Sequence, residues 1–282
     1  MAAHLDMQDA RRRIESALAE DIGSGDITAA VIPDDVLFHG LMRARHAMVM
    51  AGLPVAREVF RIVVPQANFR ALVADGDAVA AGAVVAQVEG PARGLLTAER
   101  VALNFLQLLS GIASLTRQYV DRIQGTGCVL LDTRKTIPGL RKLSKYATCC
   151  GGAHNHRMGL FDAILIKDNH IAVCGSICEA VRRAKGKTQG KAAIEVECDT
   201  LVQVTEALEA GVDRVLLDNM SLDELRQAVT LAAGRAKTEA SGGVTLETVA
   251  AIAATGVDFV SVGRITQSAP AVDIGLDWME RR

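Results

Sequence analysis

The chain has 282 residues, is 50% hydrophobic and 23% charged, and carries a formal net charge of −2 at pH 7. That length suits one large folded domain or two modest ones, and the faintly acidic balance argues against the broad basic face that nucleic acid or an anionic membrane selects. Its first residues, MAAHLDMQDARRRIESALAEDIG, lack a signal-peptide core, and no later stretch approaches the ~20 apolar residues of a membrane-spanning helix, so a cytoplasmic location is expected.

Residues 8–20 show helical spacing through Ala10, Ile14, Ala17 and Leu18, and Gly23, Ser24 and Gly25 then break the pattern. Strands are expected over Phe38–Val49, Phe69–Ala74 and Val84–Glu89, with a helix over Pro54–Val64 between the first two. A long helical pattern from Leu95 to about Ile123 closes this α+β unit. Beyond Gly127 short apolar runs alternate with helical stretches. The runs are Cys128–Asp132, Ala163–Lys167, Ala192–Glu197, Arg214–Asp218, Thr238–Ala240 and Phe259–Gly263, continuous as buried parallel strands are. Six such units predict a barrel or a wound sheet. Six cysteines, at 128, 149, 150, 174, 178 and 198, form no CxxC pair and read as reduced thiols, with Cys149 and Cys150 near a packed turn and Cys174 and Cys178 on one helix face.

Polar residues or glycines end nearly every run: Arg134 and Lys135, then Lys167 and Asp168, Glu195 and Glu197, Asp218 and Asn219, Ser241-Gly242-Gly243, and Gly263. Parallel α/β folds build their ligand sites at that edge, so one shared site is predicted. The stretch from Asp132 to His170 concentrates cations in an acidic chain, which suits a small polyanion. Arginine offers a planar fork to carboxylate or phosphate and lysine a compact charge; Arg134, Lys135, Arg157 and Lys167 together exceed what a monoanion needs. Arg141, Lys142 and Lys145 fall on a following helix and read as solvated surface. The two glycine loops, at Ser241-Gly242-Gly243 and Gly263, can present backbone N–H groups to phosphate or simply turn the chain. Glu197 and Asp218 can hold ribose hydroxyls, help place Mg²⁺ or stabilise a developing cation, or else pair with the basic residues. His156 either donates to a ligand carboxylate or bonds to backbone.

The motifs DTRKTIPGLR at 132–141, NHRMGLFDAILIKDNHI at 155–171, LLDNMS at 216–221 and EASGGV at 239–244 resemble those of quinolinate phosphoribosyltransferase. EDIGSGDIT at 20–28, TAERVALNFLQLLSGIAS at 97–114 and SVGRIT at 261–266 extend the likeness over nearly the whole chain. The resemblance implies an α/β fold in two parts: an N-terminal α/β sandwich over 1–115, on which 267–282 packs, and an incomplete α/β barrel over 116–266, the type II phosphoribosyltransferase architecture. It also implies a homodimer, or dimers within a hexamer, with shared active sites. In that arrangement Arg100 of one subunit joins Arg134, His156, Arg157 and Lys167 of the other on quinolinate. Thr133 and Lys135 would meet the pyrophosphate, Glu197 and Asp218 the ribose and the Mg²⁺ environment, and Ser241, Gly242, Gly243 and Gly263 the 5′-phosphate. The implied reaction converts quinolinate and phosphoribosyl pyrophosphate to nicotinate mononucleotide, pyrophosphate and CO₂, a step in NAD biosynthesis.

Two positions depart from the family pattern: Ala153 stands where a third glycine is common, and Arg264 follows Gly263 where a small residue is common. Neither removes a charge, though both bear on loop geometry. Nearby rivals are a pyrophosphorylase-like protein associated with molybdenum transport, disfavoured by retention of both NHR and LIKDNH, and nicotinate phosphoribosyltransferase, disfavoured by the density of cations. A non-catalytic barrel that binds a phosphorylated ligand is the rival from another class, and the intact Glu197 and Asp218 speak against it.

Overall fold

The computed structural model describes residues 4–188 and 191–279; of the expected C-terminal segment 267–282, the last three residues lie outside the described ones. Helix α1 (Met7–Ile22) starts where the Asp6 carboxylate accepts the Asp9 N–H at 3.0 Å and ends at Gly23, whose N–H reaches the Ala19 carbonyl. Strand β1 (Leu37–Ala44) alternates buried and half-buried positions. The expected strand to Val49 is interrupted after Ala44, and Met48–Val49 forms a separate short strand, β2. Helix α2 (Leu53–Val63), strands β3 (Asn68–Ala71), β4 (Ala78–Val79) and β5 (Val84–Pro91), and the long helix α3 (Ala92–Arg122) follow. Gly52, at φ 100°, turns the chain into α2, where Asp75 accepts the N–H groups of both Gly52 and Leu53.

The remaining elements alternate. Strand β6 (Val129–Leu131) leads to α4 (Arg141–Gly151), β7 (Ile164–Ile166) to α5 (Asp168–Cys174) and α6 (Ile177–Thr188), and β8 (Ile194–Cys198) to α7 (Leu201–Glu209). Then β9 (Arg214–Asp218) leads to α8 (Leu222–Ala232), β10 (Lys237–Ser241) to α9 (Val249–Ala253), and β11 (Phe259–Ser261) to α10 (Arg264–Gln267); β12 (Ile274–Trp278) ends the described chain.

Two compact units result. The first comprises the described residues of Met1–Arg117, Thr136–Gly152 and Ile265–Arg282. Its four-stranded antiparallel sheet has the order β12-β1-β5-β3, with β12 paired to β1 from Gly40–Trp278 to Ala44–Ile274. The sheet, α1, α2, α3 and α4 share one apolar core that includes Ile14, Met42, Phe60, Leu95, Leu106 and Leu143. Segment 136–152 falls in this unit because α4 contributes Leu143, Tyr146, Ala147 and Cys150 to that core. Lys145, expected on a solvated face, is fully buried in the same helix, so its position is corrected from surface to interior. Lys142 is exposed and ion-paired to Asp6 at 2.7 Å.

The second unit, Gln118–Lys135 and Ala153–Arg264, carries a six-stranded parallel sheet in the order β6-β11-β10-β9-β8-β7. Strand β10 sits centrally, in register with β9 from Lys237–Arg214 to Ser241–Asp218. Strands β6 and β7 are the two edges, and His154 forms a parallel bridge to Leu131 beside β6. The barrel is therefore incomplete. Reciprocal hydrogen bonds between Thr200 and Gln203 and between Ser221 and Glu224 start α7 and α8 directly after their strands, which holds the strand ends as a row. Cys174 and Cys178 do not share a helix face: Gly175, at φ 92°, ends α5, and Cys178 belongs to α6. Among the described residues no helix is long and apolar enough to cross a membrane.

Candidate active site

Every strand of the parallel sheet ends at the same edge, and within the second unit that edge gathers the residues expected there. Thr133, Arg134 and Lys135 follow β6, and the Thr133 hydroxyl accepts the Lys135 N–H at 3.0 Å. Gly263 follows β11; a Cβ built there would lie 3.0 Å from Lys135 Cδ and 3.6 Å from Thr133 Oγ1, so a small residue lets the two strand ends meet. Between β9 and β10, Asn219 adopts φ 56° and donates its N–H to the Ser241 carbonyl and its side-chain amide to Asp218, at 2.7 Å. Gly242, at φ 91°, backs onto this turn, and any Cβ there would strike Asn219 Oδ1 at 2.2 Å. Gly243, also left-handed, faces open space. Lys167, at the end of β7, pairs with Glu197 at the end of β8.

Asn155, His156 and Arg157 lie along the open seam. Asp132, fully buried, holds this segment: its carboxylate accepts the Asn155 amide at 2.6 Å and the His156 N–H at 2.9 Å, while its own N–H donates to the His154 carbonyl. The sequence offered Asp132 only as the first letter of a motif; its strand-end position was the available signal. Asp162 closes the loop that follows by accepting the N–H groups of Met158 and Gly159. Burial, and next the neighbouring Arg134 charge, hold the Arg157 guanidinium below its ordinary pKa. The Glu195 and Asp162 carboxylates offset part of that effect.

One layer deeper in the barrel, two residues before Glu197 and Ser241 on their strands, Glu195 and Glu239 meet His156. Its Nε2 lies 3.0 Å from Glu195 and 3.4 Å from Glu239, and Arg214 reaches Glu239 at 2.8 Å while stacking over the Phe259 ring at 4.2 Å. The Arg157 N–H donates to His156 Nδ1 at 2.8 Å. Charge and geometry disagree about this imidazole. Burial pulls its pKa down, but hydrogen bonds to Glu195 and Glu239 outweigh that and draw it up to about 9, whereas the Arg157 N–H requires a lone pair on Nδ1. The contact sets the resting form, because a proton on Nδ1 would leave a backbone donor facing another donor. His156 then donates from Nε2 and accepts at Nδ1.

Burial pushes the Cys128, Cys150 and Cys198 thiols up to about 12, which keeps these three from acting as thiolates. Arg100 is exposed on α3, in the first unit. All other expected site residues belong to the second.

The family model for the N-terminal domain of quinolinate phosphoribosyl transferase matches residues 26–110, and that for the C-terminal domain matches 112–277. The chain belongs to the quinolinate phosphoribosyltransferase family. It is 43% identical over 258 residues to a probable nicotinate-nucleotide pyrophosphorylase [carboxylating] of Bacillus subtilis, covering 92% of this chain and 89% of that one. Its identity to the nicotinate-nucleotide pyrophosphorylase [carboxylating] of Mycobacterium leprae is 42%, covering 98% and 100% of the two chains. The solved nicotinate-nucleotide pyrophosphorylase of Francisella tularensis superposes with a TM-score of 0.94 at 40% identity, over 99% of each chain. Both family-wide domains are thus present, and the strand-end residues fall in the C-terminal one.

Proposed function

We propose that the strand-end cluster carries out the reaction for which the family is named: transfer of a phosphoribosyl group from phosphoribosyl pyrophosphate to quinolinate, with loss of CO₂, to give nicotinate mononucleotide and pyrophosphate in NAD biosynthesis. The observation that carries this is the row of strand ends at one edge of the parallel sheet, where Thr133, Arg134 and Lys135, then Lys167 paired with Glu197, then Asp218 and the left-handed Gly242 and Gly243 follow their strands. Arginine and lysine at such an edge offer forked and compact charges to the carboxylates of a pyridine dicarboxylate. In the apo chain Glu197 takes Lys167 as partner; a substrate carboxylate arriving at Lys167 frees Glu197 for the ribose.

In this reading Arg134, His156, Arg157 and Lys167, with Arg100 of a partner subunit, hold the ring of quinolinate so that its nitrogen faces the ribose C1. The C1–O bond to pyrophosphate breaks with its electron pair leaving on the pyrophosphate, whose charge Thr133 and Lys135 meet. Positive charge grows on C1 and the ring oxygen, where Glu197 and Asp218 stabilise it, and the pyridine nitrogen closes the new bond. The bond from C2 to its carboxylate then breaks: CO₂ leaves, the electron pair stays on C2 as a carbanion that the adjacent cationic nitrogen stabilises, and C2 takes a proton from water. Ser241, Gly242, Gly243 and Gly263 receive the 5′-phosphate on backbone N–H groups. Glu197 and Asp218 are hard oxygen donors of the kind Mg²⁺ accepts, and bound with pyrophosphate the ion would offset the leaving group's charge.

A homodimer with shared sites, single or within a hexamer, belongs to the same reading. Leu160 and Phe161, directly after the Arg157 loop, are 76% and 83% exposed, an apolar patch suited to cover by another subunit. Cytoplasmic residence fits the six free cysteines. The test is a product assay. Incubation with quinolinate and phosphoribosyl pyrophosphate should yield nicotinate mononucleotide and CO₂ in equal amounts, and nicotinate in place of quinolinate should yield little; tight binding of both substrates without product would favour a binding module.

A further inference from the structure

The layer beneath the substrate edge contains charged groups to which none of the steps above gives work: Glu195, Glu239 and Arg214, joined through His156. One ligand atom each of His156, Glu195 and Glu239 lies within 4.8 Å of the others, a spacing a metal could use. Arg214 argues against it, since its guanidinium at 2.8 Å from Glu239 already supplies a cation to the cluster. Both ring nitrogens of His156 are committed to protein partners: Nε2 faces the two carboxylates and Nδ1 takes the Arg157 N–H. An imidazole so engaged is held in one orientation. Packing alone does not fix it either, because a cavity of about 270 Å³ lined by His156, Glu195 and Arg214 lies alongside. What fixes the ring is its hydrogen bonds.

We propose that Glu195 and Glu239, clamped by Arg214, are positioning residues for quinolinate: they hold the Nε2–H of His156, so that Nδ1 anchors the backbone of Arg157 and sets where its guanidinium meets the substrate. In this scheme His156 is also a strut between the two layers. Asp132 fixes the same segment from its other side through Asn155 and the His156 N–H. The kinetic consequence rests on the quinolinate reading; the state of the imidazole does not.

The experiment therefore has two arms. Nitrogen-15 NMR of histidine-labelled wild-type enzyme, with His156→Gln used to assign the signal, should show Nε2 protonated and Nδ1 bearing an accepting lone pair at neutral pH. A protonated Nδ1 overturns the proposal, with no turnover needed. In steady-state kinetics, Glu195→Ala should raise KM for quinolinate roughly tenfold or more through loss of a fixed geometry, while KM for phosphoribosyl pyrophosphate stays within about twofold. Glu195→Gln, which keeps an acceptor for Nε2–H, should recover most of the loss. An unchanged quinolinate KM in Glu195→Ala, or equal rises in both KM values without rescue by Gln, overturns it. Should Glu195→Ala fail to fold, the Gln variant and the NMR arm still decide. Absence of product from wild-type enzyme would defeat the functional reading and leave the NMR result to judge the strut.

Discussion

Glu195 and Glu197 sit two residues apart on β8, with the same side chain on the same face of the strand, yet they live differently. Glu197 ends the strand and pairs with Lys167, which is 44% exposed. Glu195 lies one layer down with His156, itself only 10% exposed, and burial first, then the nearby Glu239 carboxylate, raises its pKa. The upper layer keeps its charges within reach of water, so partners can be exchanged when substrate arrives. In the lower layer each charge depends on fixed neighbours, because a buried carboxylate stripped of its partners would cost several kcal/mol. The proposed function assigns binding to the exchangeable layer and geometry to the committed one.

Substitutions in the two layers should separate accordingly. The largest effect is expected at Glu239, which is fully buried. Glu239→Ala should lower the free energy of unfolding by about 3–5 kcal/mol, since it removes the fully buried carboxylate that both His156 and Arg214 face; urea denaturation reads this directly. In the upper layer Arg134→Ala should cost about 2–4 kcal/mol in kcat/KM for quinolinate, with a midpoint of thermal unfolding close to wild type. If stability fell as far as activity, the division between layers would be wrong. Mixing Arg100→Ala and Arg157→Ala chains should return roughly a quarter of wild-type activity, because a two-fold dimer places one intact site in each mixed pair. No rescue in verified mixed dimers would remove shared sites from the scheme.

Acid sensitivity sharpens the same contrast. Burial alone would raise the Glu239 pKa, but its contacts to His156 and Arg214 more than offset this and hold it below the usual 4.5. A depressed carboxylate pKa contributes stability that is fully present above the unfolded value and is lost as pH falls through the folded one. The Glu239 contribution to wild-type stability should therefore be complete above about pH 5 and decline below pH 4.5, and Glu239→Gln should flatten that acid decline in thermal unfolding. Smallest of all, Lys167→Ala should change stability by less than about 1 kcal/mol, as expected for a partly exposed ion pair, despite its loss of activity.

Much of this contrast was legible in the sequence, and the reasons differ by layer. The six parallel strands read clearly because buried strands are continuous apolar runs, and the row of polar residues closing those runs marked the exchangeable layer: Arg134, Lys167, Glu197 and Asp218. Glu195 reads in sequence as part of the same strand-end row as Glu197, and the structure corrects this by placing it one layer deeper against His156; Glu239 is only a letter in EAS, and the depth of both depends on strand register, which no local pattern states. Lys145 was misread for a related reason: a lysine on an amphipathic helix normally faces water, and only the packing of α4 into the first core reverses it. His156 has two roles open to it in sequence, substrate donor or backbone partner, and the choice needs the positions of both its nitrogens. Asp132 likewise shows its value only when the seam segment returns to β6. The break at Ala44 was invisible because Arg45–Ala47 carries no glycine or proline to announce a turn.

The central claim, that the exchangeable layer binds and converts a pyridine dicarboxylate, is met most directly by comparing products from quinolinate and nicotinate under identical conditions with phosphoribosyl pyrophosphate, in wild-type and Arg134→Ala enzyme. The account predicts nicotinate mononucleotide with equimolar CO₂ from quinolinate, little product from nicotinate, and loss of the quinolinate reaction in the variant. Equal turnover of the two acids by the wild type, or an Arg134→Ala enzyme as fast as its parent, would contradict it.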